Sequence, residues 1–209
     1  MVAPAVHTLL HVRDIDALEW EDPRPEWATA SLRLAPWVVV RRLAPRARLW
    51  PVGVRGTLRT HRCAAWLPDD AVLDLLTPPM LVTRPCSPLL DEAKAILHAH
   101  GYFGRWGPGG SVGFELASGV PCVSPSSDLD LVVHTPDPIP LRDAAALSAD
   151  LATLPVRVDV LLETPAGAVA LADYASGASL ASGSTLMMLR TPQGPRLVAD
   201  PWAASARRA

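Results

Sequence analysis

The run GGSVGFELASGVPCVSPSSDLDLVV, from Gly109 to Val133, brings together the residue types most able to do chemistry. It opens on a glycine pair followed by Ser111 and closes on a hydrophobic stretch carrying Asp128 and Asp130. Side chains alternate faces along a strand, so Asp128 and Asp130 share one face while Leu129 and Leu131 point into a core. A second hydrophobic run, VRVDVLLET, sets Asp159 between Val158 and Val160. If the two strands are neighbours, three carboxylates meet on one exposed face. Such groups repel unless something positive lies between them. All-oxygen ligands favour Mg2+, with Mn2+ able to take its place.

Gly110 and Ser111 fit the same chemistry. Glycine allows backbone to approach a ligand closely, and a helix starting at Ser111 leaves amides free to hold phosphate. No lysine follows the glycines, so this is not a Walker loop. Taken singly, each feature has an ordinary reading: a solvated strand end for the aspartates, a plain turn and N-cap for Gly110 and Ser111. Their combination is far more specific, and points to a divalent cation held beside a phosphate-binding helix start. Arg55, Arg59 and Arg62 lie close together in VGVRGTLRTHR and suit bidentate contact with phosphate or diphosphate. His98 and His100 stand two apart on a helix and do not share a face, which argues against a common metal. Glu115 and Glu163 read as structural or surface carboxylates.

These residues need elements to hold them. The chain has 209 residues, 49% of them apolar, enough to bury a substantial core. A net charge of −2 argues against a nucleic-acid surface, although arginine supplies 18 of the 19 cations. Cys63, Cys86 and Cys122 are odd in number and form no CxxC pair, which suits free thiols in a reducing compartment. With no signal peptide at Met1 and no apolar run of spanning length, a cytoplasmic protein without membrane association is expected.

Strands are expected at 37–40 and 49–56, and the proline-rich link 77–88 marks a boundary between an N-terminal domain, 1–82, and a C-terminal one, 83–209. Beyond it the pattern predicts a helix capped by Ser87, begun at Pro88 and ended by Gly101, then a short helix over 111–119. A strand at 128–134, a helix at 141–154, the Asp159 strand, a helix at about 167–175 and two terminal strands follow. Helices alternating with strands predict an α/β (α+β) fold built on a mixed sheet.

GS at 110–111, DLD at 128–130 and the aspartate of VDV resemble the nucleotidyltransferase superfamily. Within it, PVGVRGTLRTHRCAAWL, GSVGFELASG, SSDLDLVV, VDVLLETPAGAVALADYA and LRTPQGPRLVADPW resemble the malonate decarboxylase holo-acyl-carrier-protein synthases, or phosphoribosyl-dephospho-CoA transferases. The resemblance implies a nucleotidyltransferase-like catalytic domain after a smaller N-terminal domain that docks substrate or carrier. It implies transfer of triphosphoribosyl-dephospho-CoA to a serine of the malonate decarboxylase acyl carrier subunit, with loss of diphosphate. Asp128, Asp130 and Asp159 would be catalytic and hold Mg2+, while Gly110, Ser111, Arg55 and Arg59 would bind the donor. A different acceptor, such as the citrate lyase carrier, and an inactive nucleotide-binding module are the alternatives. The gap between Ser111 and Asp128, which holds Pro121 and Pro125, is longer than in many nucleotidyltransferases.

Overall fold

A computed structural model describes residues 4–58, 60–84, 88–177 and 186–203. Strands β1 (Leu9–Val12), β2 (Glu19–Trp20), β3 (Trp37–Val40), β4 (Leu49–Arg55), β5 (Arg62–Pro68) and β6 (Val72–Leu76) form one antiparallel sheet in the order β2-β5-β4-β3-β1-β6. The β-branched run of β3 serves both faces of this sheet. Val38 and Val40 pack with Ala28 and Leu32 of helix α1 (Glu26–Leu34), while Trp37 and Val39 face the rest of the molecule. A strand covered on both sides needs no polar alternation, which is why WVVV reads as an unbroken apolar run.

Strands β7 (Trp106–Pro108), β8 (Leu129–His134), β9 (Val158–Thr164), β10 (Gly167–Ala170), β11 (Met187–Thr191) and β12 (Gly194–Val198) form the second sheet, in the order β12-β11-β10-β9-β8-β7. Only β8 and β9 run parallel among its pairings, so the sheet is mixed, as expected. Parallel neighbours require a crossover, supplied here by helix α5 (Leu141–Leu151). Leu129, Leu131, Val133, Val160 and Leu162 bury one face of the pair against α5, α3 (Pro88–Ala99) and α6 (Leu171–Ser176). The opposite face keeps the aspartates.

Helix α3 stops before Gly101, whose φ of 80° closes it as expected. Ser87, its expected cap, lies outside the described residues, as does Cys86. The expected helix at 167–175 is half strand. Residues 167–170 return along β9 after a tight turn, with Gly167 opposite Thr164, and only 171–176 are helical. Gly167 to Val169 are all buried, so the run lacks the alternation that would have marked it as a strand. The proline-rich link also carries a short helix, α2 (Pro78–Leu81). Its carbonyl at Pro78 packs so tightly on Gly107 that a Cβ there would lie 1.9 Å away.

An apolar cluster and a polar tie help to join the two halves. Leu9 and Leu76 of the first sheet and Ala35, which follows α1, form an apolar cluster with Leu81 and with Phe114 and Ala117 of helix α4 (Gly110–Ser118). Beside it, Glu163 at the end of β9 accepts from Arg42, and His7 Nε2 lies 3.1 Å from Glu163 Oε1. Burial pushes the Glu163 carboxyl up, but the His7 and Arg42 hydrogen bonds and charges outweigh it and hold the group below its usual range. A depressed carboxylate stabilises the fold above its ordinary value and loses that contribution as pH falls through the folded value. Glu163→Gln is therefore expected to cost about 1–3 kcal/mol at pH 7, less than a fully buried pair because both partners keep some exposure. In urea titrations the difference from wild type should shrink as pH drops below 4.5.

Candidate active site

Asp130 on β8 stands opposite Asp159 on β9 in the parallel register. Neighbouring strands lie roughly 4.8 Å apart, so the two carboxylates start from adjacent positions on one face. Asp128 precedes β8, level with Arg157, whose carbonyl accepts from the amide of Leu129 at 2.9 Å. Arg157 shares a face with Asp159 by strand alternation, and its guanidinium grips Asp159 Oδ1 at 3.1 Å through both Nε and Nη2. The strand ends thus hold three aspartates and one arginine in a small array.

A glycine turn presses against them. The amide of Gly109 donates to Asp130 O at 2.8 Å, and Gly113 N returns to Gly109 O at 2.7 Å, so helix α4 begins directly on β8. Gly110 has φ of 51°, and a Cβ on it would sit 1.8 Å from Asp130 Oδ2. Only glycine permits that approach. Gly109 is the N-cap and offers no side chain, leaving the first amides of α4 without a capping group. Ser111 is the second residue of the helix rather than its cap, and is buried. Gly119 ends α4 in the left-handed region, as the sequence suggests.

The long segment before Asp128 is tied down by Glu115, whose Oε2 accepts from the amides of Cys122 at 2.7 Å and Val123 at 2.8 Å. Ser124, Ser126 and Ser127 then close a hydroxyl-bonded turn that delivers Asp128. Glu115 is thus structural.

The N-terminal sheet faces this array. Arg55 and Arg62, directly opposite each other on β4 and β5, both act electrostatically on Asp130, and Arg55 lies over the Phe114 ring at 5.7 Å. Arg59 falls outside the described residues. Burial raises the Asp130 carboxyl first, the Asp159 and Asp128 charges raise it further, and Arg55 and Arg62 only partly counter them. Two cavities meet at His7, Gly109 and Gly110. One, of about 750 Å³, runs over Asp130 and Asp159 to Asp173 and Arg190. The other, of about 500 Å³, lies between the N-terminal sheet and Phe114.

The donor set is the kind that suits a hard divalent cation. The side chains are clustered rather than converged: among the described residues no three His, Cys, Asp or Glu groups are arranged around one metal position. Asp159 is turned to Arg157, with side-chain exposures of 45% and 72%. An ion pair that exposed is worth about 0–1 kcal/mol, so a small rotation of Asp159 toward Asp130 is cheap. His98 and His100 have separate partners, the Phe103 ring and Asp150, and form no site together. Sequence reasoning missed Arg157 and His7. Arg157 was findable, two residues before Asp159 on its face, whereas the approach of His7 depends on how the sheets dock.

An acidic group with a raised folded value is least costly when protonated, and its ionisation destabilises the fold as pH rises. Asp130→Asn should therefore raise the melting temperature at pH 7 by on the order of 2–4 °C, an advantage that disappears below pH 3.8, the ordinary aspartate value. Gly110→Ala should lower stability by about 1 kcal/mol or more through strain and the clash. In an Asp130→Ala background the loss should be smaller, because the clashing carboxylate is gone, a coupling that a double-mutant cycle measures.

Sequence models of both domains of one family match the chain: phosphoribosyl-dephospho-CoA transferase MdcG N-terminal domain over residues 5–78 and its C-terminal domain over residues 74–201. The chain is 39% identical to the phosphoribosyl-dephospho-CoA transferase of Azotobacter vinelandii, over 95% of this chain and 94% of that protein. It is 38% identical to that of Pseudomonas putida, over 99% of each, and 38% identical to that of Klebsiella pneumoniae strain 342, over 95% and 96%. No solved structure matches it. No helix among the described residues is long and apolar enough to cross a membrane. With both family domains matched in order along nearly its whole length, the chain belongs to the phosphoribosyl-dephospho-CoA transferases and is an enzyme of the transferase class.

Proposed function

We propose that this protein transfers triphosphoribosyl-dephospho-CoA to a serine of the malonate decarboxylase acyl carrier subunit in the cytoplasm, with no nucleic acid or membrane taking part. The observation that carries the reading is Asp130 in register with Asp159, under the Gly109–Gly110 turn and facing Arg55 and Arg62. A polyphosphate is the ligand such a mixed array accepts: arginines for its oxygens, free helix amides for its end, carboxylates for its counter-cation.

Asp128 and Asp130 would hold Mg2+, with Asp159 joining them on release from Arg157; Mn2+ would serve similarly. Bound there, the ion would neutralise charge on the phosphates and make the serine hydroxyl more acidic. The serine oxygen attacks the phosphorus nearest the ribose, the bond from that phosphorus to the diphosphate oxygen breaks, and the serine proton passes to Asp159. The products are a phosphodiester on the carrier and free diphosphate. The amides that open α4, together with Ser111 and Gly110, steady the departing phosphates. Arg157, freed from Asp159, and Arg55 lie where they would offset negative charge during transfer, and Arg59, four residues beyond Arg55 in the sequence, would bind the donor with them. Positioning and charge neutralisation supply most of the rate in reactions of this kind.

Mass spectrometry of carrier subunits after incubation with the donor tests the reading. The apo-carrier of malonate decarboxylase should gain the phosphoribosyl-dephospho-CoA mass on one serine, and that of citrate lyase should not. Gain on the second carrier alone would replace the acceptor, and gain on neither would leave only nucleotide binding. Asp128→Asn and Asp130→Asn should each slow transfer by ~10²–10³-fold or more, the scale of losing an electrostatic stabiliser of the transition state. Near-normal turnover in both would remove these aspartates from the chemistry.

A further inference from the structure

The smaller cavity has a built floor. Leu9, Val39, Gly53 and Ala64 stand in register across β1, β3, β4 and β5, forming one transverse row on the sheet face turned toward α4. The row falls from large side chains to small ones, and Phe114 stands over it. Gly53 and Ala64 leave the depression. A leucine or valine at either place would fill it, and glycine inside a strand otherwise weakens the sheet, so the open space has a structural cost that asks for an occupant.

Charge differs between the two cavities. Arg41, Arg55, Arg62 and His7 line the smaller one, with no carboxylate among the described residues there, whereas Asp130, Asp159 and Asp173 line the larger together with Arg157 and Arg190. Arg41 Nη1 is shielded from solvent and makes no hydrogen bond, its partner being the Glu21 carboxylate, at an ion-pair distance of 3.7 Å. The ligand that fits an apolar slot rimmed by guanidinium groups is a flat heterocycle flanked by phosphates.

We propose that this cavity is the adenosine subsite of the donor, with Ala64 and Gly53 as its specificity-determining residues. The inference rests on the donor named above. In that donor the ribose bearing the triphosphate is joined to the adenosine, whose 5′ diphosphate leads on to the pantetheine arm. With the reacting phosphorus at Asp130, the part of the donor one ribose away is the adenosine, and the cavity one glycine turn away is this one. Phe114 and the Val39 wall enclose the base. Arg41 takes the 5′ diphosphate, and the pantetheine arm leaves toward solvent.

Calorimetry with 3′-dephospho-CoA, 4′-phosphopantetheine and tripolyphosphate tests this on the full chain. Wild type should bind dephospho-CoA, and bind 4′-phosphopantetheine about tenfold or more weakly, since the latter lacks a base to enclose. Ala64→Trp, which fills the slot, should weaken dephospho-CoA by about tenfold or more while tripolyphosphate binding and the melting temperature stay unchanged. Ala64→Leu should give an intermediate loss. Equal affinity of wild type for the two pantetheine compounds, no binding of dephospho-CoA by wild type, or full affinity in the folded Ala64 variants would each overturn the subsite. The outcome separates from that of the transfer reading: loss of dephospho-CoA binding in Ala64→Trp with no carrier modified by wild type would keep the subsite and remove the reaction. Unimpaired transfer by Ala64→Trp would do the reverse.

Discussion

Two like charges held on adjacent positions of parallel strands are the constraint around which this molecule is organised. Asp130 and Asp159 are register partners, and neither can leave the face without reversing its strand, because Leu129, Leu131, Val160 and Leu162 anchor the other face in the core. Hydrophobic burial therefore enforces an electrostatic conflict. Its visible trace is the Asp130 carboxyl, pushed up by burial and by its neighbours. A fold does not gain stability from such an arrangement; it gains a place where positive charge is wanted.

The surroundings answer that demand in part. Arg157 takes up Asp159, and Arg55 and Arg62 reach Asp130 from the other sheet. Arg157 and Arg62 are exposed and Arg55 is half-buried over the Phe114 ring. The Gly109–Gly110 turn keeps the space beside Asp130 clear of side chains and lets the amides of α4 open into it. The N-terminal sheet is held in place by the apolar cluster around Leu9 and Phe114 and by Glu163 with Arg42 and His7. Glu163 lies four residues beyond Asp159 on the same strand face, so one β-strand carries both a carboxylate of the cluster and the tie that brings the arginines to it.

Much of this was legible in the sequence, and the reasons differ by element. The spacing of Asp128, Leu129, Asp130 and Leu131 specifies which residues face the core, and β8 obeys it. The ends of α3 and α4 were readable because Gly101 and Gly119 take positive φ where a helix must stop. The β9–β10 hairpin was not, because a short run of small buried residues carries no period. The first sheet was only half visible: β1, β5 and β6 serve two covered faces or an exposed one, so apolar and charged residues mix without a clear pattern. Arg157 was overlooked beside the aspartate it holds. His7 and the row from Leu9 to Ala64 could not be found from one dimension, since they exist only through strand register and the docking of two sheets.

The central claim is that the carboxylate cluster is a cation site completed by Asp159. Crystals soaked in Mn2+ and measured at the manganese absorption edge test it most directly. The account predicts an anomalous peak in coordination contact with Asp128 and Asp130, with Asp159 turned away from Arg157 toward the ion. A peak only at other residues, or a fully occupied one that leaves Asp159 on Arg157, would contradict it.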